Sequence, residues 1–337
     1  MKIHDKANPV RYVADDSRYD IMKYRRCGNS GILLPLISLG LWHNFGFIDS
    51  AHKARQIARK AFDMGITHFD LANNYGPPFG SAEETFAMIL KKDLGFYRNE
   101  LFISTKAGFD MWDGPYGNFG SRKYLLASLN DSLKRMGLEY VDLFYHHRPD
   151  PSTPLEETMI ALDHIVKSGK ALYVGISNYD AARTKQAAKI LEELKTPFLI
   201  HQARYSLMDR WVEGELLDTL DNLGKGMIAF SPLAQGMLTD KYLDGIPANS
   251  RAAKDMTYLE EKQVARNIKK ISELNKLALQ RNQKLSQMAL SWILRDKRVS
   301  SVLIGVSSEE QLVENIECIH NISFTDEELD RIEQLTA

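Results

Sequence analysis

Cysteine is scarce in this chain, with only 2 in 337 residues, Cys27 and Cys318. They are far apart and match no metal-ligand spacing, which argues against a disulfide framework or a zinc site and leaves both as packing residues. Long hydrophobic runs are missing as well: no stretch approaches the roughly 20 uncharged apolar residues that span a bilayer. The polar opening MKIHDKANPVRYVADDSRYD lacks the apolar core of a secretory signal. The expectation is a cytoplasmic protein without a membrane partner. Neither sign of charge dominates, since 43 Lys and Arg face 44 Asp and Glu for a net charge of −1. No overall field therefore draws in nucleic acid, and any phosphate must be bound locally.

What is present is the composition of a globular enzyme: 44% hydrophobic and 26% charged residues exclude a disordered chain. From about residue 33, short apolar runs rich in β-branched residues alternate with segments of helical periodicity, the pattern of βαβ units on a parallel sheet. The runs are LPLISLGLW, THFDLANNY, ELFISTK, YVDLFYHH, ALYVGIS, LIHQARYS, GMIAFSP and VSSVLIG. Helical segments are predicted to begin near Ala51, Ser81, Lys123, Pro154, Ala181, Glu213, Glu261 and Glu309. Eight alternations favour a closed (β/α)8 TIM barrel, an α/β fold, over an open Rossmann-type sheet, because closure leaves no unpaired strand edge. A barrel accommodates residues 1–337 as one domain, with 1–21 as an N-terminal extension.

The turns agree. Gly65 in GIT and Gly169 in SGKA stand just past helix ends, where a left-handed residue is needed. Ser81 and Glu84 have the spacing of a capping box. Residues 22–35 carry Asn-Ser-Gly between two arms and predict a β-hairpin capping the N-terminal mouth of the barrel. Residues 233–260 read as a long functional loop, and TDEELDRIEQL as an extra C-terminal helix.

In such a barrel the site lies at the C-terminal strand ends. Asp70 closes HFD, Tyr75 follows in the next loop, Lys106 closes ISTK and His147 closes FYHH. A phenol with a pKa near ~10 is a poor acid at neutral pH unless a cation stabilises its phenolate. Lys106 supplies that charge, Asp70 holds Lys106, and His147 donates to a carbonyl oxygen or relays protons. Each residue has a structural reading too: an internal ion pair, a packing aromatic, a satisfied core histidine. Their joint position on successive strand ends favours the chemical one.

These residues bring out a resemblance. The chain resembles the aldo-keto reductases through D-L-A-N-N-Y-G at 70–76, S-T-K at 104–106 and H-R-P-D at 147–150. The likeness continues through G-I-S-N at 175–178, H-Q-A-R-Y at 201–205, S-P-L-A-Q-G at 231–236 and G-V-S-S-E-E-Q-L-V-E-N at 305–315. The resemblance implies a (β/α)8 barrel, NADPH without a metal, and catalytic roles for Asp70, Tyr75, Lys106 and His147. His147 rather than His146 fits, because the family's histidine precedes an x-Pro pair.

The same resemblance implies the cofactor contacts. Ser177, Asn178 and Gln202 would fix the nicotinamide carboxamide, and Phe230 would stack on its ring. Ser231, Pro232, Leu233, Gln235 and Gly236 would let backbone N–H groups approach the pyrophosphate. Trp42 and Gly305 would border the cofactor. Lys241 and Arg251 are candidates for its phosphates, a solvated surface charge being the alternative for both. Ser307, Gln311, Glu314 and Asn315 match adenosine-side contacts. Many relatives carry a basic residue where Ser307 stands, so Arg251 is expected to hold the phosphate that distinguishes NADPH from NADH.

Within the family, L-G-L-W-H-N-F-G at 39–46, N-Y-G-P-P at 74–78, G-S-R-K-Y-L-L-A-S-L at 120–129 and K-R-M-G-L-E-Y-V-D at 134–142 resemble one branch. That branch contains bacterial L-glyceraldehyde 3-phosphate reductases and potassium-channel β subunits. The reductase side implies a small carbonyl substrate of the glyceraldehyde 3-phosphate or methylglyoxal type; Trp42, His43, Trp112 and Tyr116 are expected to wall its pocket, packing being the alternative for aromatics in loops. The other side implies a cofactor-binding regulatory subunit. A metal-dependent barrel lyase lacks a carboxylate and histidine cluster at the strand ends. Relatives in the branch often form tetramers, and the expected homo-oligomer rests on that alone.

Overall fold

Apolar runs too short for helices become parallel strands when both of their faces are covered. In the computed structural model, which describes residues 12–243, 245–246 and 261–336, a hairpin of β1 (Tyr24–Arg26) and β2 (Leu33–Pro35) comes first. It precedes β3 (Ile37–Gly40), β4 (His68–Asp70), β5 (Phe102–Ala107), β6 (Val141–His146), β7 (Ala171–Ser177), β8 (Phe198–Arg204), β9 (Gly226–Phe230) and β10 (Val299–Ile304). Strands β3 to β10 close into a barrel in sequence order, β10 pairing with β3. Every residue of β6 and β10 is buried, as a strand between a filled barrel interior and an outer helical layer requires.

Around the barrel lie α1 (Arg18–Ile21), α2 (Ala51–Asp63), α3 (Ser81–Ile89), α4 (Arg122–Met136), α5 (Leu155–Lys167), α6 (Ala181–Glu193), α7 (Leu216–Asn222), α8 (Glu261–Gln280), α9 (Leu285–Leu294), α10 (Glu309–Ile316) and α11 (Asp326–Thr336). Their amphipathic faces bury against the strands; in α2 these are Ala54, Ile57, Ala58, Ala61 and Phe62. The predicted left-handed glycines are present, with φ of 83° at Gly65 and 73° at Gly169. The hairpin plugs the predicted end. Cys27 and Leu34 join Leu143, Ile200 and Ile228 in one buried cluster, and a Cβ on Gly226, at the start of β9, would fall 2.3 Å from the Cys27 sulfur. The described part of the N-terminal extension is tied down, with the Tyr12 hydroxyl donating to Asp63 at 2.6 Å.

Two local expectations are corrected. No capping box opens α3: Gly80 is the N-cap at φ 90°, and no side chain caps the helix. A backbone turn from the Ser81 N–H to the Pro78 carbonyl makes the entry instead. The helix expected from Glu261 is two helices, because Asn282 takes a left-handed φ of 54° and breaks the chain between α8 and α9. Among the described residues no helix is long and apolar enough to cross a membrane, and no group of three or more His, Cys, Asp or Glu is placed to hold a metal ion.

Candidate active site

Parallel pairing of β4, β5 and β6 puts their C-terminal ends side by side, with Asp70 opposite Ser104 and Lys106 opposite Tyr145. This register brings the predicted residues together. The Lys106 ammonium donates to Asp70 Oδ2 at 2.5 Å, to the Leu71 carbonyl at 2.5 Å and to the Tyr75 hydroxyl at 3.3 Å. An ammonium has three hydrogens, so all of Lys106's are engaged. The Tyr75 oxygen therefore accepts from the lysine and keeps its own hydrogen for another acceptor. Asp70 Oδ1 accepts from Ser104 at 2.6 Å and from Gln202 at 3.3 Å.

The electrostatics correct one expectation. Burial pushes the Tyr75 phenol well above its ordinary value, and the charge of Asp70 adds to that rise. The phenol of the resting site is therefore not acidified overall. Burial also lowers the Lys106 ammonium, opposed by the charge of Asp70. At neutral pH Tyr75 is thus a loaded proton donor. His147 lies beside it, ring centroids 5.9 Å apart and nearly perpendicular at 68°. Burial holds its pKa well below the usual 6.5, helped by the charge of Lys106, so the imidazole is neutral. Its Nδ1 is buried with no hydrogen-bond partner. His146 is spent elsewhere, its Nδ1 lying 2.6 Å from the Tyr179 hydroxyl.

A cavity of about 450 Å³ opens over Asp70 and Tyr75, while Lys106 and His147 stand behind its lining. Gly40, Trp42, His43, Asp70 and Tyr75 border one side, and Gln202 and Phe230 sit at the floor strands. Ser231, Pro232, Leu233, Gln235, Gly236 and Lys241 form one wall, and Gly305, Ser307 and Gln311 another. Ser231, Ala234 and Gln235 all have positive φ, at 52°, 46° and 60°. Such non-glycine backbone costs of order 1–3 kcal/mol per residue and concentrates at functional sites. The N–H groups of Ala234 and Gly236 close turns onto Ser231 and Leu233.

Other predicted residues stand off the cavity. Asn178, left-handed at φ 63°, donates to the His147 carbonyl and to Ser177 Oγ, both at 3.1 Å, and so braces the rim. Glu314 pairs with Lys284 at 2.5 Å, and Asn315 is buried with its amide nitrogen unpartnered. Trp112 and Tyr116 do not border the cavity. Trp112 packs on Tyr124 at 5.1 Å, and the Tyr116 ring lies under Lys123. Arg251 lies outside the described residues. Seven lining residues were not among the predicted site residues: Gly40, Asn44, Thr239, Tyr242, Leu303, Ile304 and Val306. Asn44 was detectable as a left-handed-tolerant residue, and it takes φ 69° while donating to the Val306 carbonyl at 2.9 Å. Thr239 and Tyr242 carried no signal beyond membership of a long loop. A second hollow of about 450 Å³ between α6 and α7 gathers no comparable set of groups.

The residues present fit a dinucleotide. The cavity runs from the Tyr75 group, past the aromatic Phe230, to the N-terminus of α10, where Ser308 caps the helix. An anion is favoured there by the helix dipole and N–H groups. His147 Nδ1 and the Asn315 amide nitrogen are among the buried side-chain atoms without a hydrogen-bond partner, and neither residue lines the cavity.

Comparison with known proteins agrees with the geometry. The Aldo/keto reductase family pattern matches residues 36–337. L-glyceraldehyde 3-phosphate reductases of Escherichia coli O157:H7 and of Escherichia coli strain K12 are each 58% identical over 328 residues, covering 96% of this chain and 95% of theirs. A probable voltage-gated potassium channel subunit beta of Oryza sativa subsp. japonica is 35% identical over 318 residues, covering 93% of this chain and 96% of its own.

Proposed function

Since the chain belongs to the aldo/keto reductase family and is an oxidoreductase, we propose that it reduces a small aldehyde or ketone to the alcohol with NADPH, with Tyr75 as proton donor. The substrate class is that of glyceraldehyde 3-phosphate or methylglyoxal, supported by the two relatives at 58% identity that are named for the first of these. The observation that carries the reading is the 3.3 Å contact between the Lys106 ammonium and the hydroxyl of Tyr75, which borders the cavity.

Ser177, Asn178, Gln202, Phe230 and the 231–236 turn would hold the cofactor, with Ser307, Gln311 and Asn315 toward its adenosine end. Bound there, NADPH supplies the hydride that reaches the carbonyl carbon. Tyr75 delivers its proton to the carbonyl oxygen as negative charge builds on it. The phenolate left behind forms beside the Lys106 ammonium in a site with little water, where a cation acts most strongly. Asp70 holds that ammonium in place. Neutral His147 donates a second hydrogen bond toward the carbonyl oxygen and orients the substrate. Trp42 and His43, with ring centroids 4.3 Å apart, wall the substrate side.

Tyr75→Phe tests the assignment. It should bind NADPH as the unaltered protein does while kcat falls at least roughly 100-fold, the scale of a lost general acid; unchanged turnover would remove Tyr75 from the role. A substrate panel tests the phosphate: equal kcat/KM for phosphorylated and plain aldehydes would refute recognition of it. The regulatory-subunit reading is supported by the rice relative at 35% identity. Sustained loss of NADPH absorbance with aldehydes favours the reductase, and a single oxidation per subunit the regulator. Residence in the cytoplasm as a homo-oligomer, often tetrameric in this branch, is part of the proposal.

A further inference from the structure

Below Asp70, the barrel interior holds a line of small polar side chains that the proposed mechanism does not use. His68 on β4 is fully buried, with its Nε2 2.9 Å from Ser104 Oγ and its Nδ1 2.9 Å from Ser38 Oγ. Ser38 Oγ lies in turn 2.6 Å from Ser301 Oγ, and both serines are fully buried. These groups come from neighbouring strands β10, β3, β4 and β5 and form a continuous chain to the Asp70 carboxylate.

The direction of the bonds in that chain follows from two facts: a carboxylate only accepts, and a neutral imidazole donates from one nitrogen and accepts at the other. The Ser104 hydroxyl has a single hydrogen and donates it to Asp70 Oδ1 at 2.6 Å. Ser104 Oγ must then accept from His68, which places the ring hydrogen on Nε2. His68 Nδ1 is left as an acceptor, so the Ser38 hydroxyl donates to it. Ser38, its hydrogen spent, accepts from Ser301 at 2.6 Å, the nearer acceptor for a hydroxyl that also lies 3.4 Å from the Leu36 carbonyl. Burial lowers the His68 pKa to about 4, so the ring is neutral and able to donate from one nitrogen while accepting at the other.

We propose that His68 is a positioning residue: the ordered chain Ser301–Ser38–His68–Ser104 aims successive hydroxyl and imidazole dipoles at Asp70, fixing the carboxylate that holds Lys106 against Tyr75. The role for turnover rests on the reductase reading above, whereas the hydrogen order does not. Four donors aligned head to tail, the last of them on a buried anion, reinforce one another in a low dielectric. With the chain intact, Asp70 has one orientation open to it. Without His68, the Ser104 hydroxyl loses the donor that fixes its rotamer.

Two measurements test this. In nitrogen-15 spectra of the unaltered protein, His68 should show a protonated Nε2 and a bare Nδ1, unchanged between about pH 6 and 8. The opposite tautomer, or titration in that window, overturns the chain whatever the activity of the enzyme. His68→Leu should fold, bind NADPH and keep its KM, with kcat reduced roughly 10- to 100-fold, the scale of a displaced reacting group. His68→Gln, whose amide nitrogen stands near the lost Nε2, should recover most of that loss. Equal losses in both variants, or none in either, overturn the positioning role. If the leucine variant does not fold, the glutamine variant and the tautomer decide.

Discussion

Lys106→Met offers the sharpest separation of stability from chemistry. The Lys106 side chain is fully buried and that of Asp70 is 3% exposed, and they meet at 2.5 Å. Removing one partner of a buried pair leaves an uncompensated charge and costs about 3–5 kcal/mol. Asp70 Oδ1 would still accept from Ser104 and Gln202, which places the expected loss near the lower end, about 3 kcal/mol. Urea denaturation followed by the fluorescence of the 4 tryptophans measures it. Kinetics on the same samples should show kcat at least roughly 100-fold down, because the forming phenolate has no cation. The double variant Asp70→Asn, Lys106→Met removes both charges and should regain most of the lost stability while staying inactive, since a buried pair adds little over a neutral replacement. A single variant as stable as the unaltered protein, or a double variant that recovers turnover together with stability, would refute the reasoning.

Two further outcomes follow from buried or peripheral groups. Burial holds His68 and His146 at about 4, His201 at about 3 and His147 well below its ordinary value. In the unfolded chain these rings take up protons as pH falls below about 6.5, and in the folded chain they do not, so each subtracts up to about 1.4 kcal/mol per pH unit. Their stability is fully present above pH 6.5 and is lost as pH falls toward the folded values; equal denaturation midpoints at pH 7.5 and 5.5 would contradict this. Arg251→Ala should weaken NADPH binding roughly 10-fold or more and leave NADH little changed. Retained NADPH affinity and preference would overturn Arg251 as the phosphate contact.

The eight strands and most helix starts were legible in the sequence, because βα repetition writes itself as alternating short apolar runs and amphipathic segments. The convergence of Asp70, Tyr75, Lys106 and His147 was legible too, since polar residues at or just past the ends of successive strands meet on one rim of a barrel. The misses have local physical causes. Gly80 and a backbone turn displaced the Ser81 cap. Asn282 broke a helix whose pattern ran on. Trp112 and Tyr116 lie in a loop whose course was not written in its residues, and both turned to helix-side partners rather than the cavity.

Sequence by itself determined the barrel, its order and which side chains stand at the ends of its strands, because periodicity and chain connectivity are one-dimensional properties. Only the tertiary structure decided that Lys106's three hydrogens are all engaged, that burial raises the Tyr75 phenol, and that His68 stands in a line of donors ending at Asp70. Those facts depend on the register between strands and on the exclusion of water, and both exist only once the sheet has closed.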